Sequence, residues 1–444
     1  MNLVYGIHDK PKFPQLLIFA FQQVLAILAA TIAVPAIIGN GMSQSAALFG
    51  AGMGTLVYQL FTRFKSPVYL GSSFAFLGSM GAAFAGATSA SAGHVGLIIG
   101  AALAGLVYVV IAIVVKLVGV NWVEKLMPPA VIGPTVAIIG LSLAGNAVGD
   151  MSKGKVLVDG VSACSPYVAL ICGLITLFAV MGFSVYGKKM MRLIPFILGI
   201  LVGYVAASIF TVIGIATDNV ALQVIDFSVF QSMEFFAVPD FTLLHLGEGV
   251  KAVDGAFIAT VAVAYVPVAF VVFAEHIADH KNLSTIIGQD LLTEPGLHRT
   301  LLGDGIGSMV GALFGGCPNT TYGESVGCVA ITRNASVITI TAAAVMCIVI
   351  SFFGPFVTFL ASIPNCVMGG VCTALYGFIA VSGLKMVQKV DLSQSKNLFV
   401  VSVILITGIG GLTVSFGKVT LTSIASALLL GILTNILVSR APAE

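Results

Sequence analysis

Four acidic residues stand where acids are costly. Glu275, Asp279, Asp304 and Glu324 lie in or beside long apolar runs, and no Lys or Arg sits deep enough in those runs to neutralise them. A carboxyl in low-dielectric surroundings without a cation can gain and lose a proton near neutral pH. Ionisable groups inside apolar spans are functional by default. The chemistry expected of this set is therefore ligand binding and proton exchange. Glu275 and Asp279 are four residues apart and share one helix face. Like charges there would repel, so one of the two is expected to be protonated or hydrogen-bonded. The plainer reading is that such acids cap helix ends at the water interface. It weighs most for Asp279, because His280 and Lys281 follow and mark an expected cytoplasmic edge. His276 and His280 share a different face, where solvation is expected rather than metal binding. Glu275 and Glu324 have the chemistry of an acid/base pair. No metal motif, nucleophile elbow or phosphate loop accompanies them, so an enzyme is not expected.

The surrounding chain explains why these acids are conspicuous. Of 444 residues, 58% are hydrophobic and only 9% charged, and the mean hydropathy is +1.08. A soluble domain carries about 25% charged residues, so this chain cannot build a water-facing surface. That excludes a soluble enzyme, a secreted disulfide scaffold, a disordered chain and a nucleic-acid binder. One bilayer-spanning helix needs about 20 apolar residues, which leaves room for roughly 12–14 spans. The apolar runs are too long and too unbroken for an outer-membrane barrel. The 50 glycines and 16 prolines are tolerated in membrane helices, where small residues let backbones approach. The seven cysteines form no CxxC or Cys/His cluster and read as apolar packing residues. The polar start, Met1 to Phe13, runs straight into a full-length span, so no cleavable leader is expected.

The sequence predicts an all-α polytopic membrane protein. Apolar runs fall at 14–38, 44–61, 68–84, 93–117, 129–148, 165–184, 193–214, 252–275, 300–316, 318–333, 335–354, 356–383, 397–413 and 419–439. With the N-terminus inside, alternation puts four of the 20 Lys and Arg outside (Lys153, Lys155, Lys251, Lys418) and the remainder inside. That is a strong positive-inside bias, and the even span number returns the C-terminus to the cytoplasm.

Two spans are unusual. Tyr69-Leu-Gly-Ser-Ser-Phe-Ala-Phe76 and Pro318-Asn-Thr-Thr-Tyr-Gly-Glu-Ser-Val-Gly327 are rich in Gly, Ser or Thr and make poor continuous helices. Each is the third span of its half if the chain divides near 215–250. Paired interrupted segments in matching places point to an inverted repeat with a binding site at the midplane. Non-helical backbone survives at that depth only when buried in protein or lining a cavity. The expected division is 1–214, a first seven-span repeat; 215–250, a net acidic extracellular connector; and 251–444, a second seven-span repeat.

Four strings then carry a resemblance. They are Ala274-Glu-His-Ile-Ala-Asp279, Asp290-Leu-Leu-Thr-Glu-Pro-Gly-Leu-His-Arg299, Pro318-Asn-Thr-Thr-Tyr-Gly-Glu324 and Glu324-Ser-Val-Gly-Cys-Val-Ala-Ile-Thr-Arg333. With Tyr69–Phe76 and Ile363-Pro-Asn-Cys-Val-Met-Gly-Gly370, they resemble bacterial uracil permeases of the nucleobase–ascorbate transporter family over nearly the whole chain. The resemblance implies fourteen spans in two inverted seven-span repeats, with short antiparallel strands in spans 3 and 10. It implies a core domain (spans 1–4 and 8–11) that holds substrate, and a gate domain (spans 5–7 and 12–14) that mediates a homodimer. It places Glu275 and Glu324 on the N–H donors of uracil and the backbone N–H groups of Phe74 and Gly323 on its carbonyls. Ala30, Tyr322 and Tyr376 pack around the ring. Such a ligand is selected because a missing partner leaves buried polar groups unpaired.

The chain departs from the family pattern at Ser325, where Asn is usual, and at Asp279 and Gln23, where some uracil permeases carry His. Asp304 resembles the acid of many members where certain uracil permeases have Asn. The expected proton-coupling set is Glu275, Asp279, Asp304 and Gln23. The expected function is proton-coupled uracil uptake across the cytoplasmic (inner or plasma) membrane, by elevator-type alternating access. The expected partners are uracil, the proton and membrane lipid, with no cofactor beyond the coupling proton. A purine or xanthine permease on the same fold is the alternative. An anion transporter of similar architecture would want a positive midplane, and the sequence offers carboxylates.

Overall fold

A computed structural model describes residues 3–119, 122, 126–158, 161–188, 190–416 and 419–439. Met1, Asn2, Lys125, Lys189, Lys418 and Arg440, on which parts of the leader and orientation readings rest, lie outside the described residues. The first half runs α1 (Phe13–Ile38), α2 (Gln44–Phe61), β1 (Leu70–Ser72), α3 (Leu77–Ala85), α4 (Ala90–Val118), α5 (Pro129–Ser142), α6 (Ala144–Asp150), α7 (Pro166–Tyr186), α8 (Met190–Leu193) and α9 (Pro195–Ala216). The second half runs α10 (Gly255–Ile287), α11 (Leu297–Gly315), β2 (Asn319–Thr321), α12 (Gly323–Thr332), α13 (Val337–Ile350), α14 (Gly354–Ser362), α15 (Asn365–Val387), α16 (Ser395–Ile409) and α17 (Ser423–Val438). Among the described residues, seven helices are long and apolar enough to cross a membrane by length and composition. Shorter apolar helices at 74–85, 337–350, 395–409 and 423–438 coincide with four more of the expected runs.

Three expected boundaries are corrected. The run ending at Glu275 continues as helix to Ile287, because Glu-His-Ile-Ala-Asp-His-Lys lowers hydropathy but holds no Gly or Pro to break the helix. The run 356–383 is two helices, α14 and α15, separated at Ile363-Pro364. Ile363 is pushed out of the α region by the proline that follows it. The run from 419 opens with a short hairpin, Val414–Phe416 paired with Val419–Leu421, before α17 begins.

The helices pack as two groups. In one, α11 lies against α2 and α4, α10 against α3 and α4, and α13 against α1 and α2. In the other, α15 packs on α5 and α7, α9 on α7, and α16 on α5 and α17. Glycines set the closest approaches. Gly50 and Gly54 of α2 face the Gly311 and Gly307 backbone of α11, where a Cβ would collide with a carbonyl oxygen. This four-residue spacing of small residues lets membrane helices touch backbone to backbone. On the end of α2 that precedes β1, Lys65 pairs with Glu294 of the α10–α11 turn. The neighbouring ammonium holds that exposed carboxyl below its ordinary range.

Candidate functional site

The two interrupted segments meet. β1 and β2 pair antiparallel with Leu70 opposite Thr321, Gly71 opposite Thr320 and Ser72 opposite Asn319. The Ser73 N–H donates to Pro318 O at 2.9 Å and the Tyr322 N–H to Tyr69 O at 3.3 Å, which extends the ladder at both ends. All six strand residues are buried, so the backbone polar groups must pair with one another. Tyr322 crosses β1 and donates its hydroxyl to Ser72 O at 2.7 Å. Its ring covers Gly71 so closely that a Cβ there would collide with it. Asn319 donates to Gly50 O at 3.0 Å and ties β2 to α2.

Each strand turns directly into a helical start. A 3-10 turn at Phe74–Phe76 leads into α3, and Gly323 opens α12 with Tyr322 as N-cap. First-turn N–H groups have no carbonyl to bind within their own helix, and the helix dipole leaves them partly positive. Two sets of backbone donors thus converge on the strand crossing. Glu324 belongs to the first turn of α12, so the N-terminal dipole faces its charge. Glu275 and Asp279 come from the middle of α10.

A cavity of about 490 Å³ lies there, lined by Phe74, Glu275, Asp279, Tyr322, Gly323 and Glu324 on one side. Ile132, Val136, Phe196, Leu375 and Phe378 line the other side, and Arg192 is the cation of the lining. It therefore sits between the two helix groups. Its volume is in the ordinary range for a small-molecule site, and its apolar wall with a few convergent polar groups is the usual make-up of one. Glu275 is exposed within the cavity and Glu324 partly so. Asp279, Glu324 and Asp304 are all within electrostatic reach of Glu275. The expected relief of the Glu275/Asp279 repulsion falls on Asp279, whose Oδ2 accepts the Thr321 hydroxyl of β2 at 2.8 Å.

The other anticipated residues are placed as follows. Asp304 is buried in α11 behind α10 and does not line the cavity. Gln23 of α1 is buried and donates to the Ser325 hydroxyl, which in turn accepts the Tyr69 N–H at 3.3 Å. The Gln23 and Ser325 departures are thus partners in one bond beside Glu324. Ala30 and Tyr376 are buried without lining the cavity, whereas Ala26, one helical turn from Ala30, does line it. Tyr376 sits edge-on to Phe74 with ring centroids 6.1 Å apart.

The expectation of solvated histidines is corrected. His276 and His280 are both fully buried, because Tyr58 of α2, Tyr108 of α4 and Thr300 and Asp304 of α11 close over them. His276 Nδ1 meets Asp304 Oδ2 at 2.7 Å and Nε2 meets the Thr300 hydroxyl at 2.9 Å. His280 bonds His276 O at 2.8 Å and the Tyr58 hydroxyl at 2.7 Å. Both nitrogens of each ring are occupied, so neither is free to ligate a metal. Sequence reasoning missed three contributors: His276, Thr321 and Arg192. The first two lie inside the strings already singled out, beside Glu275 and Tyr322. Nothing in its local sequence marks Arg192, which reaches the cavity only through the fold.

Comparison with known proteins gives the same picture at family level. Residues 14–417 match the family described as Permease family, Xan_ur_permease. The chain is 39% identical over 442 residues to a uracil permease of Bacillus caldolyticus, covering 99% of this chain and 95% of that protein. It is 35% identical to a uracil permease of Bacillus subtilis (strain 168), covering 99% and 96%. Among solved structures, the transmembrane domain of the cyanobacterial bicarbonate transporter BicA superposes with a TM-score of 0.65 at 16% identity. That match covers 97% of this chain and 100% of the other, a likeness of fold alone.

Proposed function

The chain belongs to the Permease family, and on that footing we propose that this multi-pass membrane transporter is a proton-coupled uracil importer. The observation that carries the substrate is the cavity at the strand crossing. Uracil is flat and presents two N–H donors and two carbonyl acceptors. The cavity offers the reverse set: carboxyls at Glu275 and Glu324 for the donors, and first-turn N–H groups at Phe74 and Gly323 for the carbonyls. Tyr322 and Ala26 line the space about the ring, with Tyr376 behind Phe74 and Ala30 one helical turn behind Ala26. A bicarbonate-type anion would not suit this lining, since three carboxyls face it against the guanidinium of Arg192.

The division into a core (spans 1–4 and 8–11) and a gate (spans 5–7 and 12–14) is supported by the two packing groups of helices. The inverted repeat is supported by the recurring order of long helices, strand and short helix in each half. Alternating access of the elevator type is supported by a second cavity. It measures about 440 Å³, lies between the same groups, and is lined by Pro35, Ser43, Asp150, Lys155, Asn365 and Cys372. On α15, Cys372 lines the second cavity and Leu375 the first; on α1, the corresponding residues are Pro35 and Ala26. Phe74 lines the first cavity, and Tyr376 packs edge-on against it. The first cavity extends toward Arg192 and Met386, which the charge bias places on the cytoplasmic side. The orientation in the cytoplasmic membrane has both termini inside, and the gate group forms the homodimer contact. Glu275 and Asp279 exchange the coupling proton, with Asp304 and Gln23 behind them.

A purine or xanthine permease is the second reading, because a cavity of about 490 Å³ does not by size alone exclude a two-ring base. Competition of labelled uracil uptake by unlabelled uracil and by xanthine separates the two. Uracil must compete at the lower concentration if the first reading holds.

A further inference from the structure

We propose that His276, Asp304 and Thr300 form a proton-loading unit behind the cavity, in which the Thr300 hydroxyl turns between two acceptors as one proton is gained or lost. Its part in coupling rests on the symport reading above; the proton site itself does not.

The inference comes from counting donors. The Thr300 hydroxyl has one hydrogen and two neighbours that can take it, His276 Nε2 at 2.9 Å and Leu297 O at 3.0 Å. Asp304 Oδ2 lies 2.7 Å from His276 Nδ1. If Thr300 donates to Nε2, the imidazole carries its hydrogen on Nδ1 and donates it to an Asp304 carboxylate. The unit then bears one negative charge. If Thr300 donates to Leu297 O, its oxygen must accept from Nε2–H. The contact between Nδ1 and Oδ2 then needs a second proton, held either as imidazolium against carboxylate or as a neutral acid donating to a neutral ring. The unit is then uncharged. Going from the first arrangement to the second takes one proton from water onto Nε2, turns one hydroxyl, and allows the Nδ1 proton to pass to Oδ2. No other bond changes, and the reverse steps return the proton.

The adjacent histidine has no carboxylate on either nitrogen, so a gained proton would leave a buried imidazolium without a counter-charge. His280 Nδ1 faces His276 O, which can only accept, so Nδ1 carries the hydrogen and Nε2 accepts from Tyr58. Tyr58 then accepts from Ser66, 2.7 Å away. One neutral tautomer satisfies every partner. Asp304 differs in a second respect: its Oδ1 is buried with no hydrogen-bond partner among the described residues, which a neutral acid tolerates better than a carboxylate. The groups that face the unit are Tyr108 of α4, edge-on to His276 at 6.3 Å, and His280 of α10, stacked on it at 4.0 Å. Tyr58 of α2 reaches it through His280, and Glu275 and Asp279 of α10 act through space. Among the described residues, none of these is a Lys or Arg. Loading the unit removes a negative charge from behind Glu275, its sequence neighbour through His276, and so makes room for a charge on the substrate-binding carboxyls.

Infrared difference spectra between acid and alkaline pH test this on the full-length protein in nanodiscs, with isotope-labelled histidine. In the wild type, a protonated-carboxyl band should grow and imidazole bands should shift at one common midpoint. Asp304→Asn should abolish both changes, and His276→Gln should move the carboxyl midpoint. Thr300→Val replaces the hydroxyl by a methyl of similar size and should shift the common midpoint with little loss of thermal stability. It carries the test if His276→Gln does not fold. No acid-dependent band lost in Asp304→Asn, or a Thr300→Val protein that titrates like the wild type, overturns the proposal. Vesicles that accumulate no uracil under a pH gradient would instead overturn the symport reading, and the spectra would still decide the proton site.

Discussion

Glu324→Gln removes one charge from the cavity and changes almost nothing else. The side chain lies in the first turn of α12 and is partly open to the cavity, so the substitution is near-isosteric and opens no core. The carboxylate can only accept a ligand N–H, whereas an amide can turn an N–H of its own toward the ligand. A hydrogen bond to a charged group contributes about 1.5–3 kcal/mol, and every 1.4 kcal/mol is about tenfold in affinity. Uracil should therefore bind roughly tenfold to a hundredfold more weakly. Calorimetric titration of the purified variant measures this, with its thermal unfolding as the control for folding. A folded variant whose dissociation constant lies within a factor of about two of the wild type would refute the assignment of Glu324 to a uracil donor, since no lost charge-assisted bond is that weak.

Glu275→Gln should abolish pH-driven accumulation, because an amide cannot exchange the coupling proton; uphill uptake in vesicles reads it, and retained accumulation would shift the role to Asp279 or Asp304. Gly71→Ala puts a methyl group against the Tyr322 ring and threatens its bond to Ser72 O. Overpacking of this kind costs about 1–3 kcal/mol, so a lowered unfolding temperature with weakened uracil binding is expected, and an unchanged melting curve counts against the close crossing. Single cysteines on the outer faces of α15, α16 and α17, in a background lacking the native thiols, should crosslink between chains, and those on α1 should not; a monomer in native mass measurements from mild detergent removes the dimer.

Much of the candidate site is legible in the sequence. Tyr69-Leu-Gly-Ser-Ser and Pro318-Asn-Thr-Thr declared themselves as broken helices through their small and hydroxyl-bearing residues, and they are the two paired strands. The acids Glu275 and Glu324 stood out because charge is rare in such runs, and both line the cavity. Hydropathy failed where polarity and helix formation part company. The stretch after Glu275 is polar enough to resemble a helix end, yet α10 continues through it with both histidines buried, because Tyr58, Thr300 and Asp304 meet them from other elements. It failed in the opposite sense at Pro364, where an unbroken apolar run conceals two helices. Partners that lie far along the chain, such as Gln23 and Ser325, leave no local sign.

Uptake of labelled uracil into proteoliposomes holding the purified protein bears most directly on the site as the seat of proton-coupled uracil transport. With the outside made acid, uracil should rise inside above its external concentration and fall back when a protonophore collapses the gradient, and the Glu275→Gln protein should only equilibrate it. Uptake that never exceeds equilibrium under the pH gradient, or that xanthine blocks at lower concentration than uracil does, would contradict it.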